Sequence, residues 1–246
     1  MFTDRFLMGR HRDQLSAEEA KALEDAIDGM IDVGARETLV LRQTKVTRSM
    51  LLVEGVLCRY MDGLDGDRQL VALHVPGDFV DLHGYPMKML DHDVATITPC
   101  RLAAFEHKTI ERLVRTFPNL GRLLWFSTLL DAAMHREWIF RLGRLNAAGR
   151  VAHLFAETER RLAMVGLSEG ERFAFPMQQT DIASACGMTA VHASRVLRDL
   201  REQGICTFSG GFVTIGDRSS LYRFAEFEDG YLYPSRREAN RPQLGA

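Results

Sequence analysis

The sequence predicts an α+β protein in three successive parts: a compact antiparallel β-roll, a long helix, and a helix–turn–helix followed by a tight β-hairpin. Three changes of texture carry that expectation. Residues 38–105 hold short runs of β-branched and large apolar residues between turn signals. Residues 119–142 repeat apolar side chains at three- and four-residue steps. Residues 178–217 place a short helix, a glycine turn, a second helix and a hairpin in that order.

A chain of 246 residues is long enough for one large domain or two ordinary ones, and a typical size of roughly 150 residues per domain favours two. Residues 15–27, LSAEEAKALEDAI, read as the first helix. Ser16 is its N-cap, Glu18 and Glu19 suit its first turn, and Leu15, Leu23 and Ile27 line one face. The strand candidates follow at 38–41, 49–55, 56–61, 69–75, 94–98 and 101–105. DGLDGD at 62–67 is a hairpin turn, and PGD at 76–78 and TPC at 98–100 are further turns. Such spacing suggests an antiparallel sandwich or roll.

The helix at 119–142 carries a stripe of Leu120, Leu124, Ser127, Asp131, Met134 and Trp138, widened by Leu123, Leu130 and Leu142. About 24 helical residues span roughly 36 Å, more than a small roll covers. The stripe therefore predicts a partner helix, most simply the same helix of a second chain. The alternative is that it is core within one chain, and Asp131 in the seam argues for that. A further helix spans 146–164, with Val151, Leu154, Phe155, Thr158 and Leu162 on one face, and 166–171 is a loop.

Residues 178–203, QQTDIASACGMTAVHASRVLRDLREQ, read as helix (179–185), turn (186–188) and helix (189–203). Gly187 suits the left-handed backbone of the turn, Ala183 is small where the helices cross, and Thr189 caps the second helix. Ala193, Val196, Leu197 and Leu200 form its buried stripe. Ala190, Val191, His192, Ser194, Arg195 and Arg198 are left for the outward side. Small residues and arginines on an outward face can enter a major groove, with Arg195 and Ser194 near enough to the N-terminus to reach bases. Gln179, Thr180 and Thr189 lie at helix starts, where hydroxyls and free backbone amides meet phosphate. The hairpin around Ser209-Gly210-Gly211 makes this a winged helix. A helical hairpin that merely packs in a domain without nucleic acid is the alternative. Arg195, Arg198 and Arg201 face Asp199 and Glu202, so the local positive surplus is small.

Composition bounds the rest. Hydrophobic content of 46% and charged content of 26% exclude a disordered chain. A formal net charge of -2 means that any basic surface is local. Cys58, Cys100, Cys186 and Cys206 form no C-x-x-C pair, so they read as buried small residues in a reducing compartment. The opening MFTDRFLMGRHRDQL is too charged for a signal peptide, and no 18-residue apolar stretch occurs, so a cytoplasmic protein without membrane contact is expected. No nucleophile elbow, H-E-x-x-H helix or P-loop is present, and no enzyme activity is expected. His74, His83, His92 and His107 lack ligand spacing, so no metal site is assigned, although Asp81, His83, His92 and Asp93 could converge.

The order of helix, roll, long helix and winged helix resembles the Crp/Fnr family of bacterial transcription regulators over residues 15–220. The roll motif lies in MLLVEGVLCRY (50–60) and DGLDGDRQLVALHVPGDFVDLHG (62–84), and the C-terminal match is GMTAVHASRVL (187–197). The resemblance implies a cyclic-nucleotide-binding-like sensor roll at 1–118, a dimerisation helix at 119–145 and a winged helix-turn-helix DNA-binding domain at 146–246. It implies a homodimer on a palindromic double-stranded operator, contact with RNA polymerase, and a guanine read by Arg195.

Three departures limit the transfer. The family places a glutamate three residues before the serine, where this chain has Val191. Cyclic-nucleotide binders of the family follow the turn with Gly-Glu-Leu and later carry an arginine for the phosphate. Here the stretch is Gly77-Asp78-Phe79, and no arginine lies between Gly77 and Thr98. No cysteine precedes Cys58, so the cluster of the iron–sulfur sensors is missing too. The effector and any cofactor stay unassigned. The rival reading is a haem- or metal-containing, or other ligand-binding, sensor that acts through protein contacts.

Overall fold

A computed structural model describes residues 1–168 and 170–239. Glu169, inside the loop expected at 166–171, and residues 240–246, the end of the segment expected at 146–246, lie outside the described residues. The chain forms two compact units, Met1–Met61 with Ala72–Ala132, and Asp62–Val71 with the chain from Ala133 onward.

In the first unit, α1 (Ala17–Asp25) starts at a capping box. The Glu19 N–H donates to Ser16 Oγ at 3.1 Å, and the Ser16 N–H donates to Glu19 Oε2 at 2.9 Å. The strands are β1 (Gly29–Val33), β2 (Thr38–Val40), β3 (Arg48–Glu54), β4 (Leu57–Asp62) and β5 (Arg68–His74). After the short helix α2 (Gly84–Met87) come β6 (Asp93–Thr96) and β7 (Cys100–Glu106). They make two antiparallel sheets, in the orders β1-β7-β3 and β2-β6-β4-β5.

Strand β3 shows how the sequence builds the roll. Met50 and Leu52 point to one cluster with Leu57, Val80, Val94 and Leu102. The alternate residues Leu51 and Val53 point to a second cluster with Phe6, Phe79 and Phe105. Both faces are covered, which is why MLLV is continuously apolar rather than alternating.

Three elements here, β1, the short α2 and α3, were not read from the sequence. Strand β1 contains Gly29 and Asp32 and is only partly buried at the sheet edge. Helix α3 (His107–Thr116) turns only Ile110 and Leu113 among its large apolar residues into the core.

Helix α4 (Pro118–Arg144) contains the expected 119–142 helix. Its N-terminus is fixed by Glu19, whose Oε1 accepts the Leu120 N–H at 3.1 Å and whose Oε2 accepts from Asn119 Nδ2 at 3.0 Å. The stripe assigned to a partner helix needs correction. Leu120, Leu123 and Leu124 belong to the core of the first unit, and Leu130, Met134 and Trp138 are also buried within the chain. Asp131 forms an ion pair with buried Arg59 at 2.6 Å. A different set is exposed: Trp125 at 65%, Leu129 at 51% and Ile139 at 71%.

The second unit is built around α5 (Ala147–Met164), capped by Asn146, whose Oδ1 accepts the Gly149 N–H at 2.8 Å. The expected single apolar face is again too narrow, because every residue of α5 from Val151 on is buried. Its charged residues are matched. Glu157 accepts from Trp138 Nε1 at 3.1 Å and from the Tyr231 hydroxyl at 2.7 Å. Glu159 pairs with Arg218 at 2.7 Å, and Arg160 pairs with Asp229 at 2.7 Å. Around α5 lie β8 (Arg172–Ala174), α6 (Gln179–Ala185), α7 (Ala190–Glu202), β9 (Cys206–Ser209), β10 (Phe212–Ile215) and α8 (Arg218–Phe224). Strand β8 and helix α8 were not foreseen. The three strands form an antiparallel sheet in the order β8-β10-β9. Among the described residues, no helix is long and apolar enough to cross a membrane.

Candidate nucleic-acid interface

Helix α6 ends where a left-handed residue is required. Gly187 has φ +59°, and the Met188 N–H closes the turn on the Ala183 carbonyl at 3.0 Å. A side chain at residue 187 would meet only ordinary contacts, so backbone conformation, not space, selects glycine there. Thr189 then caps α7, its Oγ1 accepting the His192 N–H at 3.2 Å. Ala183 is buried at the crossing, and Ala193, Val196, Leu197 and Leu200 are the buried residues of α7.

The outward residues follow from that packing. Ala190, Val191, His192, Ser194, Arg195 and Arg198 are exposed, as are Thr189 and, at the start of α6, Gln179 and Thr180. Among the described residues, Arg195 makes no hydrogen bond or ion pair, so its guanidinium is available to a ligand. Arg198 differs. It lies 3.9 Å from Glu202 and 4.0 Å from Asp199, loose pairs on its own helix.

The wing is a two-residue hairpin. Phe212 pairs with Ser209, and Gly210 and Gly211 have φ of +59° and +78°, the geometry that matches strand twist. Arg172 lies over the Phe212 ring at 3.9 Å and adds a cation beside the wing, which sequence reasoning missed.

Two other contacts that hold the motif were also missed. Arg141 on α4 is fully buried, stacks on Trp138 at 4.1 Å and donates to the Ala185 carbonyl at the end of α6 at 3.1 Å. Ser184 accepts the Leu70 N–H at 3.1 Å and donates to the Arg68 carbonyl, so the tip of the β4–β5 hairpin is bonded to α6 within the second unit. The signal for Arg141 is its place one turn after Trp138, while nothing local marks Ser184.

In the roll, Arg59 was overlooked as well. Its Nε and Nη2 donate to the Val80 carbonyl at 2.9 and 2.7 Å, and its Nη1 to Asp131. The Arg59 guanidinium, bonded to the Gly77–Asp81 stretch at Val80, is therefore committed to protein partners. Burial, with Arg59 next, lowers His74 to about 4 and His83 to about 3, so both imidazoles are neutral at pH 7. Of the possible metal donors, Asp81 is bonded to the Met50 N–H at 2.6 Å and Asp93 to the Arg42 N–H at 2.9 Å. Those two do not converge with the histidines; Asp91 does. The four cysteines form no disulfide and are buried, and burial raises the Cys186 thiol to about 11 and Cys206 to about 12.

Comparison with known proteins converges on the same region. Residues 149–224 match the family model of the Crp-like helix-turn-helix domain. The chain is 31% identical to the transcriptional activator protein FnrL of Cereibacter sphaeroides over 181 residues, which cover 72% of this chain and 71% of FnrL. It is 27% identical to the nitrogen fixation regulation protein FixK of Bradyrhizobium diazoefficiens, over 86% of this chain and 87% of FixK. The solved structure of FixK2 from Bradyrhizobium japonicum superposes with a TM-score of 0.73 at 25% identity, covering 80% of this chain and 96% of that one.

Proposed function

Because this chain belongs to the Crp/Fnr family of transcription regulators, we propose that it binds a palindromic operator as a homodimer and reads it with Arg195 and Ser194. The observation that carries this reading is the exposed, unpaired Arg195 in the first turns of α7, opposite a fully packed stripe. An arginine there can donate two hydrogen bonds to guanine O6 and N7. Ala190, Val191 and His192 sit beside it against the groove floor. Gln179, Thr180 and Thr189 take phosphate through hydroxyls and helix N-termini, and Arg198 adds a charge-dependent contact.

Dimerisation uses the outer face of α4. Trp125, Leu129, Ala132, Arg136 and Ile139 follow at alternating four- and three-residue steps, the spacing of a two-helix seam. None of them is buried within one chain. Residues 1–118 then serve as the effector domain, 119–145 as the dimer helix and 146–246 as the DNA-binding domain. The protein acts in the cytoplasm, where a promoter-bound dimer meets RNA polymerase. The effector is not a cyclic nucleotide, since no arginine lies between Gly77 and Thr98 and the Arg59 guanidinium beside that stretch is held by Val80 and Asp131.

The test is selection of binding sites from random DNA with the full chain. The expected product is a palindrome whose half-sites lie about 10 base pairs apart on one face of the duplex. An asymmetric site, or no enriched site, contradicts the proposal.

A further inference from the structure

Two imidazoles and a carboxylate meet in the first unit, whereas every residue assigned to DNA belongs to the second. His83 precedes α2, and Asp91 and His92 precede β6. One donor atom from each lies within 4.8 Å of the others, and the two rings have centroids 5.2 Å apart. The Nε2 atoms of both histidines are buried without a hydrogen-bond partner. His92 is only 7% exposed, and its Nδ1 lies 2.8 Å from Asp91 Oδ1. A buried polar atom left unpaired is costly and rare, and two on neighbouring rings need a common explanation.

The surrounding backbone holds these donors in place. The Val46 N–H donates to the Lys88 carbonyl at 2.9 Å and the Gln43 N–H to the Leu90 carbonyl at 2.7 Å, while Asp93 accepts the Arg42 N–H. The segment bearing Asp91 and His92 is thus pinned by the β2–β3 connection, so the cluster is preorganised. Arg59 opposes a cation nearby, but its charge is matched by Asp131 at 2.6 Å. The Asp91 side chain is 77% exposed, which opens the cluster to solvent on one side.

We propose that His83, Asp91 and His92 bind a divalent transition-metal ion of the zinc class. Two imidazole nitrogens and one carboxylate suit Zn²⁺, Co²⁺ or Fe²⁺, whereas Mg²⁺ and Ca²⁺ demand oxygen-rich shells. Three protein donors leave a coordination position for water or a small anionic ligand. The site does not depend on how the second unit reads DNA.

The test uses the full chain, stripped with a chelator and titrated with Co²⁺, followed by displacement with Zn²⁺. Saturable binding of one Co²⁺ per chain is expected, with visible d–d absorption that Zn²⁺ abolishes. Asp91→Asn changes an exposed side chain and leaves the melting temperature unaltered, and it should weaken affinity by about 10–100-fold. His83→Ala combined with His92→Ala should remove the absorption. No saturable binding by the wild-type chain, or binding that Asp91→Asn leaves unchanged, overturns the proposal.

Discussion

Removing Asp131 strands a buried guanidinium. Arg59 is 1% exposed, and of its three bonded nitrogens only Nη1 meets a negative charge. Breaking a buried pair from one side costs about 3–5 kcal/mol. Two bonds to the Val80 carbonyl survive and Asp131 is partly open to water, so we expect the lower end, about 3 kcal/mol, for Asp131→Ala. In a chain of this length each kcal/mol shifts the melting temperature by about 2–4 °C, which gives a fall of roughly 6–12 °C. Arg59→Met in the same protein removes the unpaired charge and should recover most of the loss, a coupling of about 2 kcal/mol. Calorimetry of the four proteins at one fixed concentration measures the cycle. A single mutant within about 0.5 kcal/mol of wild type, or a double mutant equal to the sum of the singles, refutes the reasoning.

Other consequences are as specific. Leu129→Glu or Ile139→Glu should give monomers in sedimentation, whereas Met134→Glu should lower the melting temperature because that side chain is buried; a wild-type protein already monomeric at micromolar concentration contradicts the seam. Burial works to raise the Glu157 carboxyl, but Arg161, Arg141, His153 and the Tyr231 hydroxyl outweigh it and hold it below the usual value of 4.5. Its stabilisation is therefore full above pH 4.5 and lost as pH falls through the depressed folded value. Glu157→Gln should be less stable at pH 7 and show a shallower acid decline in urea titrations; an unchanged decline contradicts that assignment. Calorimetry with cyclic AMP should show no binding at low micromolar concentration, and a dissociation constant in that range would reverse the reading of the roll.

The winged motif was legible because each of its features has a local chemical cause. Gly187 supplies a left-handed turn, Thr189 an N-cap, Ser209-Gly210-Gly211 a two-residue hairpin, and the α7 stripe a single buried face. Helix α4 was legible as a helix but not in its orientation. It is apolar on more than one side, and periodicity cannot say whether Leu124 and Met134 or Leu129 and Ile139 point inward. Helix α5 misled for a related reason. Its glutamates and arginines fall outside the single apolar face expected of it, yet Arg218, Asp229 and Tyr231, distant in sequence, pair with Glu159, Arg160 and Glu157. Arg59 and Ser184 carry no local signature at all, since their partners lie far along the chain. The histidine cluster failed on identity: Asp91, not Asp81 or Asp93, joins His83 and His92, because backbone amides claim the other two carboxylates.

The measurement closest to the central claim is a binding cycle between Arg195 and its guanine. Affinity is measured for wild type and Arg195→Ala, on the selected operator and on the same operator with one base pair changed in each half-site. Arg195→Ala should cost about 1–3 kcal/mol on the operator, and the base change should then add little in the variant. Equal losses from the base change in both proteins would mean that Arg195 does not read that base, and the assignment of α7 as the recognition helix would be wrong.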